Sequence, residues 1–207
     1  MSEGINTAWL QGELAWPELR YQASGVPLFT AKVKVPSADF KTGEQNFTLV
    51  KIVAWEELAE YMGTLPEKTK VRVSGRIQER SFVNKEGAKQ SSTEVVLEGV
   101  EVVDSAAGEN AFILQGEVVW PELKKVGPRE SSLLRAKIKI PFVKRDGTLG
   151  SSFVRITAWD EFAEGLSSLG EGSQVQVSGH IQDRSWVTPT GQKRIFTDMI
   201  VTNFTGA

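Results

Sequence analysis

The chain has 207 residues, 40% hydrophobic and 24% charged, with 24 basic and 26 acidic side chains, one histidine and no cysteine. That composition suits folded domains with buried cores, and it excludes disulfides, thiolate metal sites and a globally basic coat for polyanions. The start Met1-Ser2-Glu3-Gly4 lacks the basic and apolar stretches of a signal peptide, and no apolar run approaches the ~18 residues of a membrane span, so a soluble, cytoplasmic protein without a membrane partner is expected.

The sequence is written twice. Leu10-Gln11-Gly12-Glu13 returns as Leu114-Gln115-Gly116-Glu117, Trp16-Pro17-Glu18-Leu19 as Trp120-Pro121-Glu122-Leu123, and Val73-Ser74-Gly75 as Val177-Ser178-Gly179, each 104 residues on. Such a copy far exceeds the ~20–50-residue units of solenoids and is long enough for its own core. The predicted domains are residues 1–104 and 110–207, joined at 105–109, where Ser105-Ala106-Ala107-Gly108 is small and turn-rich.

In chain order, the apolar period within each copy is two. Lys32 and Lys34 alternate with Val33 and Val35, Arg72 and Ser74 with Val71 and Val73, and Lys137 and Lys139 with Ile138 and Ile140. That alternation marks strands with one buried face. Turns at Lys41-Thr42-Gly43, Lys85-Glu86-Gly87, Asp146-Gly147 and Thr190-Gly191 separate about five strands per copy. One stretch breaks the rule: Glu56 to Leu65 carries Leu58, Tyr61, Met62 and Leu65 on one helical stripe, and Asp160 to Leu169 carries Phe162, Leu166 and Leu169. Three strands, a helix and two strands is the order of the five-stranded Greek-key OB-fold barrel, so an all-β chain of two tandem OB barrels is predicted. Gly75 and Gly179, inside strand-like runs, are the expected bulges or bends of so small a barrel.

Strand parity then assigns faces. Phe153, Arg155, Thr157 and Trp159 lie opposite Val154, Ile156 and Ala158, and Leu49, Lys51, Val53 and Trp55 lie opposite Val50, Ile52 and Ala54; the aliphatic side is the predicted core. Farther on, Arg72, Ser74, Arg76, Gln78, Arg80 and Phe82 share a parity, with Gln176, Ser178, His180, Gln182, Arg184 and Trp186 as their counterparts. Cations interleaved with flat rings on an exposed sheet are what a single nucleic-acid strand requires, because the cations neutralise phosphates while the rings stack on unpaired bases at roughly 1–3 kcal/mol each. The competing readings are a core role for the aromatics and a solvated strand face for Lys32, Lys34, Lys137 and Lys139. Trp16 and Trp120, each before Pro-Glu, are expected to cap a turn or fill an interface rather than stack on bases, Trp9 to pack, and His180 to sit on the surface.

Ile5-Asn6, Pro17-Glu18-Leu19-Arg20-Tyr21, Val53-Ala54-Trp55-Glu56-Glu57-Leu58-Ala59-Glu60, Val73-Ser74-Gly75-Arg76-Ile77-Gln78, Arg80-Ser81-Phe82 and Thr93-Glu94-Val95 follow one another in order and, in outline, twice. In that order they resemble the bacterial single-stranded DNA-binding protein family over nearly the whole of each copy. The resemblance implies a two-barrel member that acts in DNA replication, recombination and repair, with a homodimer supplying four barrels. It implies stacking positions at Phe153 (Leu49 in the first copy), at Trp55 and Trp159, at Phe82 and Trp186, and, in the loop after the second strand, near Phe40 and Phe142. The phosphate contacts are expected from Lys32, Lys34, Lys51, Arg72, Arg76, Arg80, Lys137, Lys139, Arg155 and Arg184, and the second barrel is expected to bind more strongly. Relatives pair near the first strand, here around Asn6 and Asn110. Family members usually end in a flexible tail with an acidic tip that recruits other enzymes; this chain stops at Asn203-Phe204-Thr205-Gly206-Ala207, so tail-mediated partners are not expected.

An enzyme is not expected. One histidine, no cysteine and no phosphate-binding glycine loop leave neither a metal cluster nor a nucleophile pair, and no cofactor or metal site is predicted. The alternative function is a protein-interaction barrel of a replication or recombination complex whose aromatics bury against a partner; oligosaccharide binding is a weaker third, since it does not call for so many cations.

Overall fold

The computed structural model of the chain describes residues 3–38, 45–83, 87, 89–106, 108–144, 146–187 and 193–206. The first copy contains β1 (Asn6–Tyr21), β2 (Pro27–Ala38), β3 (Gln45–Trp55), α1 (Glu56–Gly63), β4 (Lys70–Val83) and β5 (Lys89–Val102). The second repeats the order as β6 (Asn110–Val126), β7 (Ser131–Val143), β8 (Leu149–Trp159), α2 (Asp160–Leu169), β9 (Gln174–Val187) and β10 (Lys193–Gly206). Among the described residues no helix is long and apolar enough to cross a membrane.

Each copy closes on itself. β1 pairs antiparallel with both β2 and β4, β2 with β3, and β4 with β5, while the short parallel contact Ile52 with Val95 and Val53 with Val96 joins β3 to β5 and completes the circuit. In the second copy β6 pairs with β7 and β9, β7 with β8, and Ile200 of β10 meets Thr157 of β8 in parallel. Two five-stranded OB barrels result. Closure removes the open strand edges that would otherwise invite pairing with other chains.

Alternation fills each barrel with one parity of every strand. Leu10, Leu14, Phe29, Ile52 and Ile77 are buried in the first, and Phe112, Leu114, Leu134, Ile138 and Ile156 in the second. The copies trade volume. Ala8 and Phe29 of the first stand where Phe112 and Leu134 stand in the second, so each core keeps one large ring and one smaller side chain at this pair of positions, the kind of exchange a close-packed interior accepts.

Helix placement departs from the predicted stripe. Ala59 and Met62 of α1, and Ala163 and Leu166 of α2, are the buried residues, whereas Tyr61 and Leu169 are exposed. A short helix lying against strands needs only a narrow i, i+3 contact, and a small alanine brings it close. Both helices begin straight after a tryptophan with no side-chain cap, and Glu56, Glu57, Asp160 and Glu161 place negative charge in the first turns, where the helix dipole favours it.

The bend at Gly75 also differs in detail. The extra residue lies in the partner strand: Ser74 pairs with Gly99 and Gly75 with Leu97, leaving Glu98 over. Parity in β4 therefore runs unbroken from Val71 through Ile77. Glycine is required here because a Cβ at Gly75 would collide with the Val96 carbonyl oxygen, and one at Gly179 with that of Ile200.

The chain forms two compact units whose boundaries are offset from the repeat. One comprises Ala8–Ala111 with Gln182–Thr197, the other the segment ending at Thr7, Phe112–Ile181 and the segment from Asp198 onward. In the second unit the Gly4 N–H donates to the Pro141 carbonyl at 2.9 Å and the Gln115 N–H to that of Ile5 at 2.8 Å; in the first, the Gln11 N–H donates to the Glu109 carbonyl at 2.7 Å.

Candidate nucleic-acid interface

Residues directly opposite on antiparallel strands project to the same side, so register decides which predicted side chains share a face. In the second barrel Lys137 lies opposite Arg155, Lys139 opposite Phe153, and Arg135 opposite Thr157. In the first barrel Lys32 lies opposite Lys51, Lys34 opposite Leu49, and Leu28 opposite Trp55. The outer faces of β2–β3 and β7–β8 thus carry Lys32, Lys34, Lys51 and Trp55, and Lys137, Lys139, Phe153, Arg155 and Trp159. Like charges stand directly across from one another at Lys32/Lys51 and Lys137/Arg155, which concentrates positive charge on this face.

Trp55 is exposed and Trp159 half-buried, each at the end of its strand. Val53 and Thr157 share their parity but are 1% and 2% exposed, against the outward placement expected of them. Each is a short side chain flanked two residues away on its own face by taller ones, at the point where the parallel strand joins.

Four contributors to this face were missed or assigned elsewhere by sequence. Arg135 is exposed beside Lys137 and shares its parity, which extending the Lys137/Lys139 alternation backward would have shown. Phe47, 48% exposed, lies two residues before Leu49 with the Lys34 ammonium 4.5 Å from its ring centre, so the first barrel carries an aromatic on this face despite Leu49. Trp16 and Trp120, expected to cap a turn or fill an interface, sit in β-bulges: Ala15 and Glu18 face Lys32 and Thr30, and Val119 and Glu122 face Lys137 and Arg135, so each Trp-Pro pair adds one residue. Proline suits a bulge because it has no N–H to leave unpaired. The kink turns the indoles outward, beneath the Lys32 and Lys137 ammonium groups, and the Trp120 ring stacks on Phe153 at 5.4 Å between centres.

The remaining predicted cations divide. Lys51 reaches Oε2 of the buried Glu94 at 2.8 Å and Arg80 lies 3.8 Å from its Oε1, so one carboxylate joins β4 to the β3 face. Arg72 is engaged elsewhere: its Nε lies 3.1 Å from Glu109 and 3.2 Å from Gln11, on the flank where β4 meets β1. Outward on a closed barrel is not one surface, and β4 is separated from β3 by β5. Arg76 is exposed on β4, while Lys139 pairs with Glu117 at 3.1 Å. Phe142, half-buried, lays its ring over Gly150, the residue opposite it, and lines a hollow with Lys139 and Glu117. Phe40 lies outside the described residues, and Phe82, Arg184 and Trp186 lie outside the described side chains.

His180 stands where the first copy has Arg76. It is half-buried, and burial pushes its imidazole below the usual range, which leaves it uncharged at neutral pH. This position therefore adds no positive charge to the second barrel.

Glu94 competes with any bound phosphate for Lys51 and Arg80. Glu94→Gln is expected to release both, strengthen single-strand binding and steepen the dependence of log affinity on log salt by up to about 1.4, at ~0.7 per phosphate neutralised. Because both cations are partly exposed, the loss of folding stability should be about 1 kcal/mol. Filter binding over a salt series, with a urea melt, measures both; an unchanged slope would remove these two cations from the phosphate path.

A family model supplies the decisive comparison: the single-strand binding protein family matches residues 5–103 and again 109–206. The chain belongs to this family. It is 26% identical to the single-stranded DNA-binding protein of Thermus aquaticus over 95% of its own length and 82% of that protein. The protein of the same name from Enterococcus faecalis is 36% identical over 49% of this chain and 55% of its own. Among solved structures, the wild-type Thermus aquaticus protein superposes with a TM-score of 0.78 at 23% identity, covering 100% of this chain and 94% of that one. A deletion mutant of it gives 0.77. The double family match falls on the two barrels, so each copy carries its own version of the face described above.

Proposed function

We propose that this protein binds single-stranded DNA with little sequence preference, and that it covers and protects unpaired strand during replication, recombination or repair. The strand runs over the outer faces of β2–β3 and β7–β8, bases stacking on Trp55, Phe153 and Trp159, and phosphates meeting Lys32, Lys34, Lys51, Lys137, Lys139 and Arg155. The hairpin positions Phe82, Arg80, Arg184 and Trp186 extend the track. The observation that carries this reading is the doubled like-charge pair, Lys32 opposite Lys51 and Lys137 opposite Arg155, set among aromatics. No reaction is involved; stacking tolerates all four bases and needs no cofactor.

The binding modules are residues 1–104 and 110–207 with 105–109 as the connection, a division the two family matches support. We place the protein in the cytoplasm and assign it a homodimer, which brings four barrels to one strand. Titration with an oligothymidine, followed by tryptophan fluorescence, should show strong quenching, an affinity that falls as salt rises, and far weaker binding to duplex. Absence of quenching would favour the protein-interaction barrel instead.

A further inference from the structure

We propose that Trp16 and Trp120 are base-stacking platforms, each seating one further unpaired base of the strand. The inference rests on the single-strand reading and adds a contact to it.

Four observations converge on these two positions, each in its own barrel. Both indoles are 61% exposed, an unusual state for the largest apolar side chain unless something covers it in use. Both backbones are left-handed, with φ of 51° and 53°, a conformation that favours glycine or asparagine over a bulky residue. Both are held there by the same device: the Trp16 N–H donates to Glu67 Oε1 at 3.2 Å and the Trp120 N–H to Glu171 Oε1 at 3.1 Å. Both rings lie under a lysine of the proposed track, Lys32 at 5.5 Å and Lys137 at 5.8 Å from the ring centre.

Backbone strain of this kind persists where surrounding contacts enforce it, and it gathers at functional sites. A packing role would bury the ring, and a turn role would select a smaller residue. An exposed indole with an ammonium group beside it matches one nucleotide: a flat base for the ring and a phosphate for the lysine. Trp120 and Phe153, stacked within 18° of parallel, form a continuous aromatic ledge on the second barrel. Trp16 occupies the same bulge in the first.

The test uses the full chain carrying Trp16→Ala and Trp120→Ala, its Phe/Phe equivalent, and two probes: an oligothymidine and an abasic deoxyribose-phosphate strand of equal length. The alanine pair should weaken oligothymidine binding roughly tenfold or more with an unchanged salt slope, and phenylalanine should restore most of it. On the abasic strand all three proteins should bind alike, which a structural role for the indoles would not produce. An equal loss on the abasic strand would overturn the proposal, as would unaltered binding with a smaller mass in solution, which would assign the indoles to contact between copies. A native chain that ignores oligothymidine removes the single-strand reading and this one with it.

Discussion

Replacing Phe153 and Trp159 together by alanine will weaken oligothymidine binding by about 2–6 kcal/mol, at ~1–3 kcal/mol for each stacked base and tenfold in affinity for every ~1.4 kcal/mol. Both side chains stand on the outer parity of β8, across from Lys139 and Leu133, while Val154, Ile156 and Ala158 fill the barrel behind them. Thermal stability should fall little. Within the folded protein the substitution removes the stacking of Phe153 on Trp120, worth about 0.5–1.5 kcal/mol. Fluorescence titration and a melting curve on the same sample separate the two effects. A variant that unfolds would place these rings in the core and remove them from the track.

Phe112→Ala should do the reverse. Phe112 is wholly buried in β6, and truncating such a ring costs about 3–5 kcal/mol, from forfeited transfer energy and from the cavity left behind. A domain of this size is stable by only ~5–15 kcal/mol, so the second barrel will sit near its unfolding limit. Urea denaturation should show a midpoint displaced accordingly, and any binding that survives below that midpoint should keep its native salt slope. A loss under about 1 kcal/mol would mean that the site collapses around the missing ring, or that Phe112 is not the keystone its burial implies.

The two variants differ because parity in a strand separates binding from stability, and parity was readable in the residues themselves. Val50, Ile52 and Ala54, and Val154, Ile156 and Ala158, point inward as their alternation with larger polar and aromatic neighbours predicts. The helices at Glu56 and Asp160 were legible in the same way, because their apolar spacing changes from two to three or four. Their buried stripe was not, because Tyr61 and Leu169 are apolar enough to belong to it and only packing excludes them. Trp16 and Trp120 show where local pattern stops. Trp-Pro signals a break in the strand, but whether the break buries or presents the indole depends on the extra residue inserted between the Ala15–Lys32 and Glu18–Thr30 pairings. Arg72 looks in sequence like Arg80, yet one meets Glu109 across the chain and the other Glu94.

The amino-acid order alone settled the duplication, the five-strand-plus-helix plan and, Val53 and Thr157 apart, the inner and outer faces of β3 and β8, because these depend on local periodicity, which needs no partner to be read. Tertiary structure alone decided which outward cations reach the shared face, which are neutralised by carboxylates distant in sequence, and that two bulged tryptophans lie exposed under Lys32 and Lys137. Those outcomes depend on cross-strand register and barrel closure, which bring together residues that no local pattern links.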